Sequence, residues 1–171
     1  TVAADGSLVL NLYYTLDPTQ TVVVTYVSED VNKGTVNHDK DTIQIVTGNT
    51  VNGSKAEAKA GYKFTGWYKG ETQVTGEAVL TAEAAKANLN KNADGTYAAT
   101  TYTAKFELDA DQTVDVTYVS EDENKGTVDH DSDTIQIVTG NTVNGSKAEA
   151  KAGYRFTGWY KGETLVTEEN I

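Results

Sequence analysis

The sequence predicts an α+β chain that is mainly β, made of tandem small domains that each carry one short helix. Thr and Val, which favour the half-buried surface of a strand, recur throughout, and turn-forming Gly occurs 15 times in 171 residues. Several short segments alternate between apolar and polar residues, which is the period of a strand. One long segment also occurs twice, so one fold is expected to serve both occurrences.

The repeat defines the domain organisation. Residues 20–79 recur as residues 112–171 at an offset of 92, with nine differences. We therefore assign residues 20–111 to a complete repeat, copy one, and residues 112–171 to a truncated repeat, copy two. Residues 1–19 are assigned to the closing strand of a preceding domain and a linker.

The differences between the copies predict which side of the first strand faces water. Val23 is replaced by Asp115, so that side tolerates a charge, and Val22, Val24 and Tyr26 on the other side are expected to face the core. Five of the differences alter charge, and all five make copy two more acidic.

The first half of copy one is predicted to be two strands and two turns. The alternating residues 21–28 form the first strand, and a turn at 32–34 follows. Residues 41–46 form a second strand with Ile43 and Ile45 on one side. Asn52-Gly53 predicts a tight turn, because both residues tolerate positive φ.

The second half begins with two strands and the one helix. Ala alternates with Lys and Glu over residues 54–60, and residues 62–68 form an aromatic strand with Phe64 inward. Residues 82–89 form a helix with Thr81 as its N-cap. A helix of this length is marginal alone and is expected to pack on a sheet.

The last strand of copy one is predicted over residues 96–106, after a turn at Asp94-Gly95. Five residues from the end of this copy are expected in its core: Leu80, Leu89, Tyr102, Ala104 and Phe106. Copy two has no counterparts of residues 80–111, so we expect an unpaired sheet edge there. Residues 7–15 of a neighbouring chain could supply the missing strand, which gives a monomer that can form a strand-exchange dimer.

Charge and composition exclude several classes of partner and site. The net charge of −11 argues against nucleic acid, since binding phosphates requires Lys and Arg to displace counterions. No apolar run approaches the roughly 20 residues of a membrane span, so no membrane insertion is expected. The chain has no Cys, which excludes disulfides and thiolate metal sites.

The acidic turn around each histidine is the first candidate for chemistry. His38 and His130 are equivalent, and each is interpreted as a solvated loop residue in preference to a metal ligand or an acid–base group. The turn from Asp129 to Asp133 spaces carboxylates as a calcium loop does. However, Thr134 occupies the sixth position, where such loops need Gly, and we expect no metal.

Aromatic and nucleophilic residues offer the remaining candidates. Tyr62, Trp67 and Tyr68 could stack on sugars, but a core role for Trp67 is favoured. Ser54 and Ser146 lie in no Gly-x-Ser-x-Gly elbow. A Lys–Asn isopeptide crosslink stays open, because the sequence does not select a pair. We therefore predict no catalytic residue and no cofactor, and no ligand-binding residue can be assigned.

The aromatic segment carries a family resemblance. Gly61-Tyr62-Lys63-Phe64-Thr65-Gly66-Trp67-Tyr68, which recurs at 153–160, resembles the signature of internalin B-type repeats, also called Listeria–Bacteroides repeats, in a divergent form. Residues 102–106 are similar to that family's closing strand, whereas the helix at 81–90 is a departure. The resemblance implies β-grasp-like stalk modules of secreted or wall-anchored bacterial proteins. Separately, residues 4–15 resemble the closing strand of mucin-binding-protein repeats.

Two classes of function follow. The first is a non-catalytic stalk or spacer of an extracellular, secreted or cell-wall-anchored protein, in which the number of copies sets the reach. The alternative is an adhesin whose copies bind host glycan, mucin or matrix protein multivalently. A hydrolase is disfavoured, because near-identical small copies would make an unusual enzyme.

Overall fold

The structure, a computed structural model, describes residues 4–6, 8, 10–140 and 143–170. The chain divides into two compact units, each assembled from separate segments. The first unit consists of Thr1–Glu29, Val36–Ala56 and Gly66–Ala104. The second consists of Asp30–Thr35, Glu57–Thr65 and Lys105–Ile171. No helix in the described part of the chain is long and apolar enough to cross a membrane.

Copy one contains eight of the described strands and one helix. In chain order these are β1 Thr21–Ser28, β2 Gly34–Val36, β3 Lys40–Gln44, β4 Gly53–Ala58, β5 Tyr62–Lys69, β6 Thr72–Thr75, β7 Val79–Thr81, α1 Ala82–Ala87 and β8 Thr100–Leu108. Five strands form one sheet in the order β3-β1-β8-β5-β6, and three form another in the order β2-β4-β7. Strand β8 is parallel to β1, with Tyr26 opposite Tyr102. The mainly β architecture with one short helix is as predicted.

Aromatic side chains build the core of the first unit. Tyr26, Trp67 and Tyr102 are fully buried, as is Val24. The rings of Tyr26 and Tyr102 stack at 5.8 Å, and Trp67 meets Tyr26 edge-on at 6.2 Å. The indole Nε1 of Trp67 donates to the Ala78 carbonyl oxygen at 3.0 Å. The inward side predicted for β1 and the core role predicted for Trp67 are therefore confirmed.

The end of copy one closes this core. Thr81 caps α1 by accepting from the Ala84 N–H at 3.2 Å, and Ala85 in the helix is buried. The Tyr102 hydroxyl donates to the Ala85 carbonyl oxygen at 2.6 Å, which ties the helix to β8. The five predicted core residues from this part of the chain are all buried: Leu80, Leu89, Tyr102, Ala104 and Phe106.

Several predicted details were wrong. Asn52-Gly53 is not a two-residue turn: Gly53 begins β4 with φ +79°, and a Cβ there would lie 2.0 Å from the Leu80 carbonyl oxygen. Among the described residues, the non-glycine residue with positive φ is Thr50, at 66°. Strand β3 ends at Gln44, so Ile45 lies in a turn. Pairing of β4 with β7, which the sequence analysis missed, explains why the chain turns earlier.

Copy two repeats the hairpins of copy one but not its sheets. Its strands are β9 Thr113–Thr117, β10 Gly126–Val128, β11 Ser132–Gln136, β12 Ala148–Ala150, β13 Trp159–Lys161 and β14 Thr164–Thr167. They form three separate pairs, β10-β12, β11-β9 and β13-β14. Strands β9, β12 and β13 are each shorter than their counterparts β1, β4 and β5. The residues that the shorter strands leave out are the counterparts of residues that lie next to β7 or β8 in copy one.

The described residues 10–16, before copy one, are not paired as a strand. Residues 10–16 form neither helix nor strand, and their large apolar side chains are exposed. Ser7 and Val9, which belong to the predicted strand 7–15, lie outside the described residues.

Candidate functional site

A buried carboxylate lies at the centre of a polar cluster in the first unit. The Asp41 side chain is 2% exposed and accepts the Tyr26 hydroxyl at 2.8 Å. His38 Nε2 lies 2.8 Å from its other oxygen. Asn52 donates twice, from its main-chain N–H at 2.9 Å and from its side-chain amide at 2.6 Å. Four donors thus converge on one ionised group and compensate its burial.

The same cluster forms in the second unit. Asp133 accepts the Tyr118 hydroxyl at 2.9 Å and the Asn144 side-chain amide at 2.8 Å, and His130 Nε2 lies 3.0 Å away. The main-chain N–H groups of Asn144 and Gly145 add bonds of 2.9 and 3.1 Å. Because Asp133 stays buried although the core around it is open, the cluster does not depend on the closing elements of a repeat.

The donors set the ionisation of the cluster. Burial by itself raises the pKa of Asp41, but the hydrogen bonds from Asn52, His38 and Tyr26 outweigh it and hold the pKa below its usual value. The same balance holds the pKa of Asp133 well below its usual value. Burial, followed by the Asp41 carboxylate, raises the pKa of Tyr26 far above its ordinary range. At neutral pH the carboxylate is therefore ionised and the phenol protonated.

This arrangement is suited to holding strands together. Nε2 of His38 is bonded to the carboxylate, and the Ser54 hydroxyl donates to the His38 carbonyl oxygen at 2.7 Å. Ser54 is therefore directed at the main chain and not at the imidazole ring, so the pair is not arranged as a nucleophile and its base. The sequence predicts a solvated loop residue at position 38, whereas His38 is half-buried and bonded to the buried Asp41 carboxylate.

The other candidates for chemistry are placed as follows. Asp129 Oδ1 accepts from the Ser146 hydroxyl at 3.2 Å and from the Lys147 N–H at 2.7 Å. Within the described ranges no group of three His, Cys, Asp or Glu residues is placed to hold a metal ion. Trp67 is fully buried and offers no face to a sugar. As for a Lys–Asn crosslink, the Lys69 ammonium donates to the main-chain oxygen of Asn88 at 2.8 Å.

A second site lies where copy one runs into copy two, inside the second unit. The Asp109 N–H donates to the Gly61 carbonyl oxygen at 2.8 Å, and the Gly61 N–H donates to Gln112 Oε1 at 2.8 Å. Gln112 Nε2 donates to the Tyr62 carbonyl oxygen at 3.2 Å. Gln136 Nε2 donates to the Asp109 carbonyl oxygen at 3.1 Å. We call residues 109–112 with Gln136 the junction clamp.

Glycine suits the centre of the clamp, where a side chain would meet a neighbouring one. Gly61 has φ +82°, and a Cβ there would lie 2.1 Å from Cγ2 of Val138. Bonds among the counterparts of Asp109, Gln112 and Gln136 also form at the start of copy one. Gln44 Nε2 donates to the Asp17 carbonyl oxygen at 3.2 Å, and Gln20 Nε2 donates to Asp17 Oδ2 at 3.3 Å.

A groove in the second unit is the third feature. It has a volume of about 320 Å³ and is lined by apolar and polar residues that include Val119, Gly126, Phe156 and Trp159. Trp159 Nε1 is buried and, among the described residues, has no hydrogen-bond partner, whereas Trp67 bonds to Ala78. Gly153, the counterpart of Gly61, has no atom of the described residues within 4 Å of the position of a Cβ.

Comparison with known proteins gives a single family. The model of the Listeria-Bacteroides repeat domain matches the chain twice, over residues 23–115 and 115–170. These two matches cover most of the chain and coincide closely with the two copies. No curated protein and no solved structure matches the chain.

Proposed function

Because the chain belongs to the Listeria-Bacteroides repeat domain family, which is found in bacterial surface proteins, we propose that it is a non-catalytic stalk or spacer. In this proposal it is part of a secreted or cell-wall-anchored protein. Each copy adds a fixed length, and the number of copies sets the distance at which another part of that protein is held.

The junction clamp is the observation that carries this proposal. Strand β8 closes one copy and continues through Asp109 and Gln112 into the next, and both residues bond to Gly61. The equivalent residues Asp17 and Gln20 lie at the start of copy one at the same spacing and bond to each other. A clamp that recurs with the repeat suits a protein whose copies must all attach in one way.

The carboxylate clusters support the same proposal. Asp41 and Asp133 are each saturated by donors from their own copy, which suits a stabilising role in every repeat. The finer features of the proposal are an internalin B-type repeat with a β-grasp-like fold. The resemblance of residues 4–15 to a mucin-binding-protein repeat belongs to it as well.

A distance measurement tests the spacer. The chain has no Cys, so Lys40→Cys and Ser132→Cys place two spin labels at equivalent exposed positions of the two copies. Inserting one further copy of residues 20–111 after residue 111 keeps the repeat in register. A compact domain of this size spans roughly 30–40 Å, so we expect the label distance to grow by about that amount with a narrow distribution.

A matched control tests whether the narrow distance distribution depends on the junction clamp. Gly61→Glu places a side chain against the clamp and should broaden the distance distribution without unfolding either carboxylate cluster. A broad distribution in the unmodified chain would show that the copies are flexibly linked and would contradict the spacer.

The adhesin alternative is tested on the same protein. For a spacer, the binding signal of the chain on an array of host glycans, and on immobilised mucin and matrix proteins, should stay at background. Saturable binding that strengthens with each inserted copy would favour the adhesin instead.

A further inference from the structure

We propose that Asn52 and Asn144 are latent deamidation sites. The buried carboxylate beside each of them, Asp41 or Asp133, keeps the asparagine from reacting. Each asparagine is followed by glycine, and an Asn-Gly pair in a flexible chain converts spontaneously to aspartate or isoaspartate. The proposal concerns the covalent chemistry of the chain and does not rest on the stalk function.

Deamidation is an intramolecular substitution followed by hydrolysis. The main-chain nitrogen of the glycine forms a bond to Cγ of the asparagine, and the proton that this nitrogen loses goes with Nδ2, which leaves as ammonia. The product is a cyclic imide, a succinimide. Water then opens the ring at either carbonyl group, which gives aspartate or isoaspartate. Glycine permits ring closure, because it has no Cβ and the least hindered main chain.

Neither residue of the pair can be exchanged without cost to the fold. Gly53 has φ +79°, and a Cβ there would lie 2.0 Å from the Leu80 carbonyl oxygen. Gly145 has the same φ. Asn52 supplies two of the four donors that surround Asp41. The fold therefore retains a pair of residues that is chemically labile.

The carboxylate of copy two holds both nitrogens that would take part in the reaction. Asp133 accepts from Nδ2 of Asn144, the leaving nitrogen, at 2.8 Å. It also accepts from the main-chain N–H of Gly145, the attacking nitrogen, at 3.1 Å. Ring closure would have to break both bonds, so it requires the cluster to open first.

Copy one restrains its asparagine in a similar way. Asp41 accepts from Nδ2 of Asn52 at 2.6 Å and from the main-chain N–H of the same residue at 2.9 Å. The main-chain N–H of Gly53 donates to the Tyr26 hydroxyl, which itself donates to Asp41. The leaving nitrogen and the attacking nitrogen are thus both tied to the cluster.

The carboxylate is unsuited to catalysing the reaction. Its hydrogen bonds hold the pKa of Asp133 well below the usual value, so it is a weak base towards a main-chain N–H. An ionised carboxylate only accepts hydrogen bonds and has no proton to give to the departing ammonia. Water reaches both sites, since Asn52 and Asn144 are exposed. The contact therefore restrains the asparagine and does not activate it.

Either product would open the cluster. An aspartate at position 52 would place a second negative charge against Asp41 where a donor lies now. An isoaspartate would also add a methylene group to the main chain directly before Gly53, which begins β4 and pairs with Thr81 of β7. Deamidation would thus be an irreversible change that loosens the copy in which it occurs.

Peptide mapping by mass spectrometry measures both sites in one sample of the full chain. Trypsin cleaves after Lys and Arg and releases the two asparagines on different peptides, residues 41–55 and 126–147. At mildly alkaline pH each site should deamidate at least about tenfold more slowly in the folded chain than in the chain unfolded in urea, because the reaction requires local opening. Equal rates in the folded and unfolded chains would overturn the proposal.

Replacing one carboxylate separates its effect from that of the rest of the fold. In Asp41→Asn, Asn52 should deamidate roughly tenfold faster than in the unmodified chain, and Asn144 should keep its rate. Asp133→Asn should give the reverse pattern. An unchanged rate at Asn52 in Asp41→Asn would contradict the protective role, and a slower rate would show that the carboxylate catalyses the reaction instead.

Leu89→Ala is the matched control for lost stability. It removes a buried side chain that does not belong to the cluster, and thermal unfolding gives the stability that each variant loses. At temperatures where the two variants are equally stable, the rate at Asn52 should rise less in Leu89→Ala than in Asp41→Asn. Equal acceleration would mean that unfolding of the whole copy sets the rate, and the carboxylate would have no specific role.

The effect of the modification is tested with Asn52→Asp, which reproduces one product. This variant should lower the protection of residues 41–55 against hydrogen exchange. Asn49→Asp is its control, because Asn49 is an exposed neighbour that bonds to the Thr47 hydroxyl and not to the cluster. It adds the same charge and should leave the protection unchanged. Equal losses of protection in the two variants would rule out a specific effect at position 52.

Discussion

Copies one and two have nearly the same sequence from their first residue to their sixtieth, and yet their apolar cores differ. Trp67 is fully buried and bonds to Ala78, whereas Trp159 is only half-buried and has no partner for Nε1 among the described residues. Strand β9 stops three residues before its counterpart β1 does. The first 60 residues of a repeat therefore specify its hairpins, and the core needs residues 80–111.

The polar clusters show the opposite behaviour. Asp41 and Asp133 are about equally buried and have equivalent donors at distances that agree within a few tenths of an ångström. The cluster involves residues of one continuous stretch, whereas the core joins strands that are far apart in sequence. Local polar contacts thus form in both copies. Of the non-local aromatic contacts, copy two keeps that of Tyr118 with Trp159 at 5.9 Å, and copy one adds the stacking of Tyr26 on Tyr102 of β8.

Replacing each of the two tryptophans should give the largest difference in lost stability between the copies. Trp67→Ala removes a fully buried side chain and should lower the free energy of unfolding of copy one by about 3–5 kcal/mol. Trp159→Ala should cost copy two about 1 kcal/mol, because its side chain is already half solvated. Hydrogen exchange resolved by peptide measures each copy in the full chain.

The unmodified chain is the control for this pair. Residues 113–117 should exchange faster than residues 21–28 before any substitution. Equal protection of the two strands, or equal losses in the two variants, would mean that copy two has a closed core in solution.

Replacing the two aspartates should instead affect both copies alike. Asp41→Asn and Asp133→Asn each leave donors facing an amide, and hydrogen bonds to a charged group contribute roughly 1.5–3 kcal/mol. Each substitution should therefore cost its own copy about 2–3 kcal/mol. A loss confined to copy one would show that the cluster of copy two depends on missing elements.

The pH dependence follows from the same carboxylates. Their pKa values in the folded protein lie below the unfolded value of about 3.9. Their contribution is thus fully present above about pH 4 and is lost as pH falls through the folded pKa. Protection of residues 21–28 should decline below about pH 4, and less steeply in Asp41→Asn than in the unmodified chain.

Much of the fold could be predicted from local sequence. Alternation located β1, and the aromatic run located β5. Thr81 identified the helix start, and the change from Val23 to Asp115 identified the outward side of β1. The pairing of β4 with β7 could not be predicted, because β7 is three residues long and carries no periodic signal. Asn52 was consequently interpreted as a turn residue, although it donates to Asp41.

The sites were less predictable than the strands. A carboxylate at position 41 in an acidic turn has the composition of a solvated loop, and only the tertiary contacts with Tyr26 and Asn52 bury it. The clamp residue Gln112 had a signal in principle, since Asp and Gln recur at the spacing of Asp17 and Gln20. The sequence does not show which residue they bond to, and the structure identifies it as Gly61.

The smallest expected effect concerns the two glycines that separate a filled junction from an open one. Gly61→Ala and Gly153→Ala share the cost of an alanine at positive φ, about 1–2 kcal/mol. Gly61→Ala must also displace Cγ2 of Val138, which would lie 2.1 Å from the new Cβ. Val138 is partly exposed and can move, so we expect an additional cost of only about 1 kcal/mol at Gly61.

A double-mutant cycle isolates this additional cost. Val138→Ala removes the methyl group that Gly61→Ala would meet, so the double variant should recover about 1 kcal/mol relative to the sum of the single variants. The same Val138→Ala change combined with Gly153→Ala should be additive, because Gly153 has no neighbour there. Thermal unfolding of the six chains measures both cycles. Additivity in the first cycle would mean that Val138 does not rest on Gly61, and the junction clamp would then consist of its hydrogen bonds alone.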